Sequence, residues 1–270
     1  MNRITLPTVD LACIDRGAGQ PVVLLHGFPL DHTMWSAQID ALSKTSRVIA
    51  PDLRGFGQSS LGNADPARGV TMEQYADDVA ALLDALEIKM PIVLVGFSMG
   101  GYIAWQFARK YQIRLRALIQ CDTRAAADTE EARANRLKMA EKIHEWGSGR
   151  VAEMMGPKLF AAGTFEKNSE IVQELRQVVE RTSPAAIAAA QRGMAARPDM
   201  TNFLPTFNLP TLVLAGAEDA LIPPTEMQQI ADTIPHGQYV EIPNAGHMTT
   251  MENPEAVNEA LLRFLKAVSS

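Results

Sequence analysis

The run Gly96-Phe97-Ser98-Met99-Gly100-Gly101 constrains this chain more than any other feature. It follows the apolar stretch Ile92 to Val95 and precedes an apolar helical pattern, Tyr102 to Ala108. A serine with glycine two residues to either side, set between a buried strand and a helix, fits a sharp strand–turn–helix corner. A side chain at either glycine would crowd the neighbouring strand and helix. The start of the helix also points unpaired N–H groups at the serine. Ser98 is therefore a candidate nucleophile. The plain alternative is a serine that only caps a helix.

The corner sits in an alternating pattern. Val22 to Leu25, Val48 to Ala50, Ile92 to Phe97 and Ala117 to Ile119 are short runs with no polar face. Such runs suit parallel strands covered on both sides. A helix is expected from about Met72 to Leu86, where Thr71 and Gln74 have capping-box spacing. Val79, Leu82, Leu83 and Leu86 form its buried stripe. From Thr123 to Phe203 no strand pattern appears. That stretch reads as helices over about 129–146 and 169–181, with a third opening at Ser183-Pro184. Gly147-Ser148-Gly149 and Ala161-Ala162-Gly163 read as breaks. The α/β pattern returns at Thr211 to Ala215, a helix near 224–234, a strand Gln238 to Ile242, and a final helix opened by Asn253-Pro254. The expected organisation is a core over 1–122 and 204–270 with a helical cap over 123–203. The alternative for the middle segment is simply more covering helices.

Composition excludes several classes. Twenty-five Lys and Arg stand against 31 Asp and Glu, a net charge of −6, with no basic block. Nothing there attracts nucleic acid or an anionic membrane. No apolar run reaches the roughly 18 residues a membrane span needs. The two cysteines, Cys13 and Cys121, lie in strand-like runs and read as buried thiols. The opening Met1-Asn2-Arg3-Ile4 enters a strand pattern without a secretory apolar region, so a cytoplasmic location is expected. No heptad surface indicates an oligomeric state.

A nucleophilic serine needs a base, and the base needs an orienting acid. His247, in Pro243-Asn244-Ala245-Gly246-His247, occupies a loop after a short strand and is the expected base. His26 belongs to a glycine-adjacent turn; His32, His144 and His236 lie in polar or surface contexts. Asp219, just past a strand end in Gly216-Ala217-Glu218-Asp219, is the favoured acid, and Asp122, past another strand end, is its competitor. Two backbone N–H groups are expected to hold an oxyanion: that of Met99, next to Ser98, and that of Phe28 in His26-Gly27-Phe28-Pro29.

Those motifs, with Asp52-Leu53-Arg54-Gly55-Phe56-Gly57-Gln58-Ser59, together resemble the α/β-hydrolase superfamily over nearly the whole chain outside the cap. The closer resemblance is to small serine carboxylesterases, 3-oxoadipate enol-lactonases and cofactor-free haloperoxidases (perhydrolases). It implies a mostly parallel eight-stranded sheet flanked by helices, with a helical cap after strand 6. It also implies the order Ser98, Asp219, His247, and a structural role for Asp52 to Ser59.

The expected activity is a carboxylesterase on small to medium esters, with no cofactor or metal and a small-molecule ester or lactone as substrate. Lactonase, perhydrolase and carbon–carbon bond hydrolase activities are the alternatives. Dehalogenase and epoxide hydrolase relatives carry aspartate where this chain has Ser98, and none of Tyr75, Tyr102, Tyr111 and Tyr239 lies in the cap. A non-catalytic binding protein is the reading from a different class. Trp146, Met155, Phe160 and Met248 are the expected pocket walls, with Met154, Leu159 and Phe165 as further cap candidates. Arg124, Arg192 and Arg197 are candidate cations for an acidic substrate, with ordinary solvated cap arginines the favoured reading.

Overall fold

The computed structural model describes residues 1–65, 67–167 and 169–269, without the side chains of Phe165, Glu166, Ser169 and Ser269. In chain order the first elements are β1 (Asn2–Thr5), β2 (Asp10–Arg16), β3 (Pro21–Leu25), α1 (Ser36–Leu42), β4 (Arg47–Pro51) and α2 (Met72–Ala85). They continue with β5 (Ile92–Phe97), α3 (Met99–Tyr111) and β6 (Leu115–Cys121). Four helices follow: α4 (Glu130–Leu159), α5 (Ala162–Lys167), α6 (Ser169–Arg181) and α7 (Pro184–Ala195). The chain closes with β7 (Thr211–Gly216), α8 (Pro224–Thr233), β8 (Gly237–Ile242), α9 (Thr249–Glu252) and α10 (Pro254–Ser269).

Eight strands among the described residues form one sheet in the order β1-β2-β4-β3-β5-β6-β7-β8. β1 pairs antiparallel with β2, and β2 with β4; every later pairing is parallel. Every residue of β3, β5 and β7 is buried, as expected of strands with helices on both faces. Their C-terminal ends share one edge of the sheet, where open α/β sheets place their sites. Cys13 and Cys121 are both buried and unpaired.

Thr71 caps α2 by accepting from Gln74 N, as its spacing predicts. The helical segment between β6 and β7 carries both expected breaks, the second of them displaced. Gly147 is non-helical and separates two helical stretches, 130–146 and 148–159, so the first expected break is present. α4 runs from Glu130 to Leu159 with a kink at Gly147, whose φ is 73° and ψ 163°. Positive φ suits glycine, and no atom stands within 4 Å of where its Cβ would be. The second break is shorter than expected and falls at Phe160 and Ala161, because Gly163 lies inside α5. The expected wall residue Phe165 falls outside the described side chains. α7 sits directly on the core: Val70 N donates to Ala189 O at 3.0 Å, and Gly193 abuts the Val70 carbonyl with no room for a Cβ. No described helix is long and apolar enough to cross a membrane.

Candidate active site

Ser98 is the hinge between β5 and α3. Its φ is 51°, in the left-handed region a residue with a Cβ rarely occupies. Two bonds fix this strained corner: Ser98 N donates to Cys121 O at 2.9 Å, and Thr123 Oγ1 donates to Ser98 O at 2.7 Å. The flanking glycines allow the close approach. A Cβ on Gly96 would meet the Gly100 carbonyl, and one on Gly100 the Leu25 carbonyl.

His247 comes from the loop between β8 and α9, and Asp219 from the turn after β7. His247 Nε2 lies 3.0 Å from Ser98 Oγ, and His247 Nδ1 lies 2.7 Å from Asp219 Oδ2. A carboxylate on Nδ1 assigns the Nδ1–H tautomer, which leaves Nε2 free to accept from the serine hydroxyl. The other oxygen of Asp219 accepts from Leu221 N at 2.8 Å and Ile222 N at 3.0 Å. Asp219 and His247 are both buried.

Asp122 does not reach the imidazole among the bonds described. Its Oδ1 accepts from Gly216 N at 2.8 Å, and its Oδ2 accepts from Thr249 Oγ1 at 2.5 Å. Burial, with the Asp219 charge behind it, pushes its carboxyl well above the usual range. It joins the ends of β6, β7 and α9 instead of meeting His247.

The loop after β3 carries the other expected donors. His26 is fully buried; its Nε2 accepts from Leu53 N at 2.9 Å, and its Nδ1 lies 2.9 Å from Gly27 O. Burial pushes its pKa down, which suits a neutral ring with an accepting Nε2. Neither Phe28 N–H nor Met99 N–H has an acceptor among the described residues, as two waiting oxyanion donors require. His32 is structural: its Nδ1 meets Asp52 Oδ1 at 2.7 Å, and Asp52 also accepts from Gln58 N at 2.8 Å. That pairing explains the Asp52 to Ser59 motif as a loop brace.

A cavity of about 370 Å³ opens at Ser98 and His247. Phe28, Met155, Leu159, Leu221 and Ile222 belong to its apolar lining. Of the expected walls, Trp146, Phe160 and Met248 do not line it. Met248 and Phe160 are packed into the core, and Trp146 abuts the Gly147 kink, between the two stretches of α4 that face the cavity. Those stretches are Ala132, Asn135, Arg136 and Met139 before the kink, at helical spacing, and Met155, Lys158 and Leu159 after it. Tyr102 reaches the cavity from α3.

The three candidate cations separate in the structure. Arg124 lines the cavity, whereas Arg192 and Arg197 do not. Arg192 donates to Ala140 O; Arg197 is buried over the Tyr102 ring and pairs with Asp128 at 2.6 Å. Arg136 and Lys158, which the sequence did not single out, take their place. Arg136 shares Asp128, also at 2.6 Å. No sequence signal marks a cap residue as cavity-facing until the rotation of its helix is known.

With this geometry in hand, the comparisons with known proteins are consistent. The family described as the alpha/beta hydrolase fold matches residues 20–254. The chain is similar to a thermophilic esterase from Thermogutta terrifontis, solved with malate bound: 47% identity, all of both chains covered, TM-score 0.96. It is 30% identical to 3-oxoadipate enol-lactonase 2 of Acinetobacter baylyi, over 87% of this chain and 84% of that one. A bromoperoxidase from Bacillus anthracis is 25% identical over 98% of this chain and 100% of its own, with a TM-score of 0.84. The chain belongs to the α/β-hydrolase fold family, among relatives that include esterases, enol-lactonases and haloperoxidase-like proteins.

Proposed function

We propose that the protein is a serine carboxylesterase that cleaves small to medium esters through an acyl-enzyme. The observation that carries this reading is the single imidazole of His247, which meets Ser98 on one nitrogen and Asp219 on the other. His247 takes the Ser98 proton as Oγ attacks the ester carbonyl. The carbonyl oxygen gains negative charge and is held by the N–H groups of Phe28 and Met99. His247 returns the proton to the departing alcohol. Water then gives a proton to the same nitrogen and attacks the acyl group, and the acid leaves as Ser98 is restored. Asp219 holds the tautomer and supports the charge on the ring. Every step uses residues of this chain.

A second reading is favoured by the cavity's charge. Arg124, Arg136 and Lys158 line it; Arg124 pairs with Glu226 at 3.3 Å and Arg136 with Asp128 at 2.6 Å, which leaves Lys158 as the lining cation without a carboxylate partner among the described residues. Esters or lactones carrying a remote carboxylate fit that cation, and malate, held by the Thermogutta relative, carries two carboxylates.

The test is turnover of p-nitrophenyl esters beside enol-lactones, hemi-esters of dicarboxylic acids and a peracid assay. Neutral-ester hydrolysis with one fluorophosphonate label per chain supports the esterase reading. Preference for the acidic substrates over neutral isosteres favours the second. A chain that neither turns over any ester nor takes the label is a binding protein.

A further inference from the structure

We infer that Glu252 is a positioning residue that seats the His247 loop against the cap. This rests on His247 acting as the base under the reading above.

Glu252 ends α9, five residues after His247. Its Oε1 accepts from Gly246 N at 2.8 Å. Its Oε2 accepts from Ala161 N at 2.9 Å and from Thr164 Oγ1 at 2.5 Å. One carboxylate therefore holds the peptide just before His247 and the break between α4 and α5. The peptide on the other side of His247 is tied to the same segment, because Met248 N donates to Leu159 O at 3.0 Å. The contact is close enough that a Cβ on Gly246 would strike Ala161 N. Glu252 is not among the residues lining the cavity. Burial pushes its pKa up, and the hydrogen-bond donors around it work against that shift.

The consequence follows from the donor count. Two carboxylate oxygens serve donors on both sides of the seam. A glutamine has one accepting oxygen and one donating nitrogen, so it serves one side and opposes an N–H on the other. The imidazole must be held within a fraction of an ångström to take a proton from Ser98, and small displacements are expensive in rate. Seating the cap segment 159–164 therefore helps to place the base.

The variants are Glu252→Gln and Thr164→Val, read by kcat and KM on p-nitrophenyl butyrate, by the rate of fluorophosphonate labelling, and by melting temperature. Glu252→Gln is expected to lower kcat and the labelling rate by about tenfold, with KM within about twofold. Thr164→Val removes only the cap hydroxyl and touches neither Ser98 nor His247. It is expected to lower both rates by about threefold, in the same direction. A folded Glu252→Gln with unchanged kcat and labelling overturns the inference, as does a change in KM alone. Should Glu252→Gln fail to fold, Thr164→Val decides, and unchanged rates there overturn it. Absence of ester turnover in the unmodified protein defeats the esterase reading alone; labelling still reports on the base.

Discussion

Arg181, the last residue of α6, is bonded to Asp31, in the loop after β3, at 2.7 Å. Next to it, Thr182 Oγ1 donates to Pro29 O at 3.0 Å. The cap is thereby anchored to the chain that follows Phe28, one of the two expected oxyanion donors. Asp31 also accepts from Thr33 N and Thr33 Oγ1, as the cap of a short helical turn.

That pair makes a pH-dependent contribution to stability. Burial, the largest influence on Asp31, pushes its pKa up, but the Thr33 hydroxyl and Arg181 outweigh it and the net shift is downward. A carboxyl lowered in the folded state stabilises above its unfolded value, and that stability is lost as pH falls through the folded value. Asp31→Ala is expected to cost about 1 kcal/mol at pH 7. That is a drop of roughly 2–4 °C in Tm. The gap from wild type should narrow as the pH is lowered below 4. Thermal melts of both proteins across that range check this; a gap that widens toward acid contradicts it.

The two buried aspartates near His247 should behave differently. Asp219→Asn removes the group that fixes the tautomer, and kcat is expected to fall by about 10⁴-fold. Asp122→Asn keeps an oxygen for Gly216 N and an amide for the Thr249 hydroxyl, and should stay within about tenfold of wild type. Parallel kcat measurements separate them, and a larger loss at Asp122 would transfer the acid role to β6.

The rate should rise with pH. As the proposed base, His247 must be neutral to take the serine proton, so kcat/KM is expected to climb as one proton is lost and then level off. His26 adds no second limb near neutrality, because burial lowers its pKa and keeps the ring neutral. A profile flat from pH 5 to 9 with chemistry rate-limiting would exclude a histidine base.

Chain length should matter modestly and then abruptly. Each methylene buried against Phe28, Met155, Leu159 or Ile222 contributes about 0.8 kcal/mol, up to the point where a cavity of about 370 Å³ is full. Measured from C2 to C16 esters, kcat/KM should peak at short to medium chains, and Met155→Ala should move the peak to longer ones. A wild-type maximum at C12 or beyond, with interfacial activation, would sink the account of a small cavity that fills.

The sequence was most informative where backbone geometry forces a residue type. Gly96 and Gly100 leave no room for a side chain, so the corner that strains Ser98 is written in the chain itself. Asp219 and His247 each follow a strand of recognisable pattern, and the parallel order brings those strand ends to one edge. The cavity walls were less legible. Trp146 and Arg136 lie on the same helical stretch before Gly147, and only the rotation of that stretch decides that Arg136 faces the cavity. Met248 stands next to His247 in sequence, yet it packs into the core. Glu252 was missed because its partners Ala161 and Thr164 lie about ninety residues away in the chain.

The most direct test of the account is to trap the acyl-enzyme. Wild type and Ser98→Ala are mixed with excess p-nitrophenyl butyrate, quenched within the first turnovers, and read by intact mass and peptide mapping. The account predicts one butyryl group on the peptide containing Ser98 in wild type, none in Ser98→Ala, and a loss of turnover of about 10³-fold or more in the variant. An acyl group on a different residue, or a Ser98→Ala protein that keeps more than a tenth of the activity, would contradict it.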